Sequence, residues 1–171
     1  MNAESTVTAA FLSEVTRARF DREIAKYPAE QKQSAVMACL AIVQQECGWI
    51  APENEKAVAD YLDMPAVAVH EVLTFYNMYN QHPVGRYKLT ICTNVPCMFA
   101  GGPQALQYVC EKLGIEPGET TEDGMFTIQP CECLGACGDA PVLLVNDRNM
   151  CSFMSAEKLD QLIEGLRNVK E

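Results

Sequence analysis

The sequence predicts an α+β protein, a helical N-terminal domain followed by a small α/β domain, and three observations carry that expectation. Between about Arg17 and Asn80, apolar residues recur at three- and four-residue steps with no strand-like alternation. The run QHPVG at 81–85 then breaks the helical pattern. Beyond it the period drops to two, because Tyr87, Leu89 and Ile91 alternate with Lys88 and Thr90. The boundary therefore falls near 82, with the tail and helical domain over 1–82 and the α/β domain over 83–171.

Each element follows from its local pattern. Residues 1–10 are small and polar and read as a frayed tail. The clearest helix spans 34–47, with Val36, Cys39, Leu40, Val43 and Cys47 on one face and Gly48 as its stop. A shorter helix is expected over 54–62. Pro65 then takes the first turn of another that buries Val67, Val69, Val72, Phe75 and Tyr76.

In the second part, Tyr87 opens a half-buried strand. A helix over 103–113 buries Leu106, Val109, Cys110 and Leu113 and ends at Gly114. Short strands are expected at 125–129, 142–145 and 151–154. Ser155 caps a last helix with Leu159, Leu162, Ile163 and Leu166 as its stripe. The order strand–helix–strand–strand–strand–helix suggests a thioredoxin-like α/β layer.

Composition removes several functional classes. A net charge of −10 leaves no basic surface for nucleic acid or for anionic lipid. The longest apolar run, 35–43, falls far short of the roughly 20 residues a membrane span needs, and the N-terminal stretch is not patterned as a secretory signal. A reducing compartment is expected, so the nine cysteines are not read as a disulfide scaffold.

Those cysteines divide by position. Cys39, Cys47 and Cys110 fall on apolar helix faces, where a free cysteine packs as a small hydrophobe, and Cys151 is read the same way. Cys92 and Cys97, spaced x4, and Cys133 and Cys137, spaced x3, instead flank irregular segments rich in small residues. Two such pairs in one chain make a soft four-sulfur site, which takes zinc or an iron–sulfur cluster and not a hard cation. Cys131, one residue from Cys133, is an alternative ligand on spacing alone. Neither His70 nor His82 has the spacing to join the site.

The run ICTNVPC at 91–97 and the run CLGACGDAPV at 133–142 resemble the thioredoxin-like [2Fe–2S] component, the E subunit, of bacterial NADH:quinone oxidoreductase (respiratory complex I). Further matches are GWI at 48–50, TFY at 74–76, PVGR at 83–86, GETT at 118–121 and DGMFT at 123–127, so the resemblance spans about 17–169. It implies a [2Fe–2S] cluster held by Cys92, Cys97, Cys133 and Cys137, with Cys131 outside the ligand set. It also implies the same order of domains, a helical one before the thioredoxin-like one.

The function implied is one-electron transfer between that cluster and the FMN of a partner flavoprotein. FMN and NADH would be reached only through that partner, and the remaining peripheral-arm subunits would complete the assembly on the cytoplasmic side of the inner membrane. No Gly-x-Gly-x-x-Gly follows a strand, so the chain has no hydride-transfer site of its own. Outward-facing aromatics of 74–76 would belong to the partner interface, although burial is the simpler expectation for each. Glu132 and Asp139 beside the second pair, with no Lys or Arg in either cysteine loop, predict a low reduction potential. The equivalent subunit of an NAD-linked hydrogenase or formate dehydrogenase is an alternative, and a zinc-stabilised interaction module is one of a different class.

Overall fold

A computed structural model describes residues 12–169; the tail expected over 1–10 lies outside them. The chain divides into two compact units, 1–83 and 84–171.

The first unit is helical. Helix α1 (Glu14–Ile24) starts where Ser13 Oγ accepts the Thr16 N–H at 3.0 Å. A 3₁₀ segment (Ala29–Ala35) leads into α2 (Val36–Cys47), followed by α3 (Pro52–Leu62) and α4 (Ala66–Phe75). Asn54 is buried because its side chain accepts the Ala51 N–H at 2.9 Å and so caps α3. Phe20, Leu40, Val58, Leu62, Val69 and Leu73 form the centre of this unit's core. Each such side chain contributes about 2 kcal/mol through removal from water.

Three readings of this half need correction. Pro65 is the N-cap of α4 and not its first turn. Val67, Phe75 and Tyr76 are exposed, Phe75 at 79%, because Val69 and Leu73 alone bring α4's apolar face inward. Cys47, in the last turn of α2, is exposed where the helix leaves the core. His70 is a surface residue paired with Glu55 at 2.8 Å.

The second unit is a four-stranded sheet of order β2-β1-β3-β4, made of β1 (Tyr87–Cys92), β2 (Phe126–Cys131), β3 (Leu143–Val145) and β4 (Asn149–Cys151). β1 runs parallel to β2 and antiparallel to β3, and β3 runs antiparallel to β4. A five-residue helix α5 (Val95–Phe99), helix α6 (Gly102–Leu113) and the last helix α7 (Ala156–Arg167) complete the unit. Leu89, Ile91, Phe126 and Leu143 pack with Val109 and Ile163 into one core. Ser155 caps α7, as its sequence position indicates. The strand expected at 151–154 instead ends at Cys151.

β1 is not half-buried. Its polar residues are covered too, since Lys88 is 2% exposed and its ammonium meets Asp147 at 2.6 Å. The turn at Asn146 and Asp147, both in the left-handed backbone region, lays those side chains over the strand. An ion pair between residues so distant in the chain leaves no trace in the local alternation.

On the surface, Asp160 of α7 accepts from Lys112 Nζ at 2.5 Å and from the Tyr108 hydroxyl at 2.7 Å. Lys112 first, then Tyr108, holds the Asp160 carboxyl below its ordinary range, while Asp160 raises both Lys112 and Tyr108. A depressed carboxyl stabilises the fold above its unfolded pKa and stops doing so as pH falls through the folded one. A raised ammonium acts below its unfolded pKa. The advantage of the native chain over Asp160→Asn should therefore be greatest between about pH 4 and pH 10 and disappear in stronger acid. Urea midpoints of both proteins across that range measure it.

Candidate metal centre

Both cysteine loops begin at the carboxyl ends of adjacent parallel strands. Cys92 closes β1 and Cys131 closes β2, and the two are register partners. Four hydrogen bonds tie the loops together. Cys92 Sγ donates to the Glu132 carbonyl at 2.9 Å, and Thr93 donates to the Cys131 carbonyl from its N–H at 2.9 Å and from its hydroxyl at 3.2 Å. Asn94 Nδ2 donates to the Glu132 carboxylate at 2.9 Å.

Cys97 does not lie on an irregular loop. It sits on α5, which Asn94 initiates by accepting the Val95 N–H at 2.9 Å and Pro96 continues with its fixed φ. Cys97 is buried and packs against Cys92 and Cys131. Burial pushes its thiol up. The Val142 N–H opposes this, and the neighbouring Cys92 and Cys137 sulfurs raise it further.

Cys133 and Cys137 are exposed, on either side of a turn made by Leu134, Gly135 and Ala136. Gly135 has φ +73, a left-handed conformation that a side chain would strain. That conformation lets its N–H reach Cys133 Sγ at 3.4 Å. Cys137 opens a 3₁₀ turn (Cys137–Asp139), closed by the Asp139 N–H to the Ala136 carbonyl at 3.0 Å. Leu134, Ala136, Ala140 and Val142 give these sulfurs an apolar backing.

The other cysteines separate cleanly. Cys39 is fully buried and pushed up to about 12, chiefly by desolvation, and Cys110 and Cys151 pack with the sheet–helix core. All nine are free of disulfides. Cys131 is buried with Cys92 and Cys97, and its thiol is also pushed up to about 12, first by burial and then by the Cys92, Cys97 and Cys133 sulfurs.

Among the described residues, no three His, Cys, Asp or Glu side chains gather closely enough to hold a single metal ion. The donors instead come as two thiol pairs on neighbouring loops. With backbone N–H groups already aimed at Cys97 and Cys133, such soft donors fit a sulfide-bridged iron centre held by four cysteines.

A glycine beside the first cysteine pair also belongs to this arrangement. Gly102 opens α6 with no room for a side chain, because a Cβ there would stand 2.5 Å from the Cys92 carbonyl oxygen and 2.9 Å from that of Cys97. Its place directly after the first cysteine pair, beside Gly101, is the signal that points to it.

Comparison with known proteins agrees with this geometry. A family model described as thioredoxin-like [2Fe–2S] ferredoxin matches residues 20–167. The chain is 41% identical over 147 residues to NADH-quinone oxidoreductase subunit 2 of Thermus thermophilus, covering 86% of this chain and 81% of that one. It is 38% identical over 165 residues to the E subunit of the NADH-quinone oxidoreductase of Rickettsia bellii, covering 91% and 98%. A solved NAD⁺-reducing [NiFe]-hydrogenase chain shares the fold over 80% of this chain and 23% of its own length, at TM-score 0.68 and 23% identity.

Proposed function

The chain belongs to the thioredoxin-like [2Fe–2S] ferredoxin family, and on that premise we propose that it is the electron-transfer subunit of an NADH:quinone oxidoreductase. In this reading Cys92, Cys97, Cys133 and Cys137 hold the cluster, which exchanges electrons with the FMN of a partner flavoprotein. The observation that carries it is the convergence of both cysteine loops on the ends of β1 and β2, bound to each other through Glu132 and Cys131.

Residues 1–82 then form a helical domain and 83–171 the cluster domain. The assembly sits as a peripheral arm on the cytoplasmic face of the inner membrane. Among the described residues, no helix is long and apolar enough to cross a membrane, which suits such a place.

When bound, the [2Fe–2S] cluster supplies one-electron redox chemistry. The protein's part is to hold the four sulfurs and to set the local field. The N–H groups of Val142 and Gly135 drain charge from Cys97 and Cys133, while the exposed carboxylates of Glu132 and Asp139 oppose an added electron. Carboxylates beside an anionic centre make the potential low. Glu132→Gln should raise the midpoint by roughly tens of millivolts, the order for one solvent-screened unit charge. An EPR-monitored redox titration reads that shift, which should shrink as salt is added. Val95, Met98 and Phe99 stand exposed on the first cysteine loop and offer apolar contact to the flavoprotein.

Anaerobic purification of the native assembly tests the reading. FMN and an NADH-oxidising activity should co-elute with this chain and its iron. A nickel-containing, hydrogen-oxidising assembly would make it the hydrogenase counterpart instead. Elution of the chain free of any flavoprotein would overturn both.

A further inference from the structure

Five thiols, not four, gather at the ends of β1 and β2. Register partners in a parallel ladder project to one face of the sheet, so Cys131 points to the side that Cys92 does. Cys133 follows two residues later, beyond a bend at Glu132 where β2 has ended. Cys131 is buried in the same cluster as Cys92, Cys97 and Val142.

The four proposed ligands are not equally secure. Cys92 and Cys97 are buried and hydrogen-bonded, to the Glu132 carbonyl and the Val142 N–H respectively. Cys133 is exposed on a turn, with the Gly135 N–H as its contact, and is open to oxidants and alkylating agents.

We propose that Cys131 is a reserve ligand that takes the place of Cys133 on iron when Cys133 is lost. The inference rests on the ligand set assigned above. The exchange is a ligand substitution. Once Cys133 is alkylated its sulfur would leave iron as a neutral thioether, and Cys131 would release its thiol proton to solvent and fill the vacated position with its thiolate sulfur. No electron is gained or lost. The strand end supplies the geometry, since the replacement sulfur precedes the lost one by only two residues and already packs with Cys92 and Cys97. The left-handed turn at Gly135 lets the loop re-seat with Cys137 still in place.

The test uses the full chain loaded anaerobically with iron and sulfide, as Cys131→Ala, Cys133→Ala and the double variant, with iron and sulfide counted per chain. Resonance Raman and visible absorption then report the ligand atoms. Cys131→Ala and Cys133→Ala should each retain two irons and two sulfides with an all-sulfur signature, and the double variant should lose them. Cys133→Ser removes the doubt that the alanine variant misfolds, and it should keep the all-sulfur signature although a serine oxygen is available. Cluster loss in Cys133→Ala equal to that of the double variant, or oxygen ligation in Cys133→Ser, would overturn the reserve role and leave the ligand set standing. Loss of the cluster in Cys131→Ala, with full retention in Cys133→Ala, would overturn the ligand set itself.

Discussion

Cys137→Ala is expected to abolish cluster loading, with iron and acid-labile sulfide per chain falling to near zero. Removing any one thiol from a four-sulfur site leaves an iron short of a ligand, but this position has the least available replacement. Cys131 packs with Cys92 and Cys97, and Cys137 opens the 3₁₀ turn on the other side of Gly135 from Cys133. Cys110 and Cys151, the remaining thiols of this unit, are packed with the sheet–helix core. Because a group that binds only the folded state stabilises it, the variant should also melt well below the loaded wild type. It should melt close to the metal-free wild type. Calorimetry beside iron analysis checks both. Full loading in Cys137→Ala would remove it from the ligand set.

The second large effect is expected of Gly102→Ala. The added Cβ would overlap the carbonyl oxygens of both Cys92 and Cys97, at 2.5 and 2.9 Å. These are backbone atoms, so no side chain can turn aside to make room. Relief requires α6 to back away from β1 or the first cysteine loop to shift. Overpacking of this kind costs about 3 kcal/mol, which lowers the melting temperature of a domain near this size by about 10 °C or more. Because the displaced atoms belong to Cys92 and Cys97, two of the proposed ligands, iron content should fall along with stability. A control at Gly165 separates the two effects, since a Cβ there meets nothing within 4 Å. Gly165→Ala, inside helix α7, should leave iron content near wild type and raise the melting temperature by a few degrees, about 1 kcal/mol of helix propensity.

Much of the arrangement was legible from spacing because its causes are local. Gly48 ends α2, Ser155 starts α7, and the shift from period 3.6 to period 2 after 85 marks real elements. What escaped was set by distant partners. Lys88 reads as a solvent-facing residue until Asp147 covers it, and Phe75 reads as core until Val69 and Leu73 prove sufficient to seat α4. The two cysteine pairs stood out as a four-sulfur donor set. That they meet at one sheet end depends on β2 running through to Cys131 and pairing with Cys92. The period-2 pattern ends at Gln129 and cannot show this. The choice between zinc and iron came from the likeness of 91–97 and 133–142 to a known family, not from spacing.

The hydrogen bonds joining Thr93 and Asn94 to Cys131 and Glu132 make the far rim of the sheet a clasp between segments almost forty positions apart in the chain. A chain made while iron is scarce would carry that clasp without its fastening, and such a rim frays first when a protein opens locally. Proteases act on opened forms, so newly made copies would persist in proportion to how promptly they are metallated.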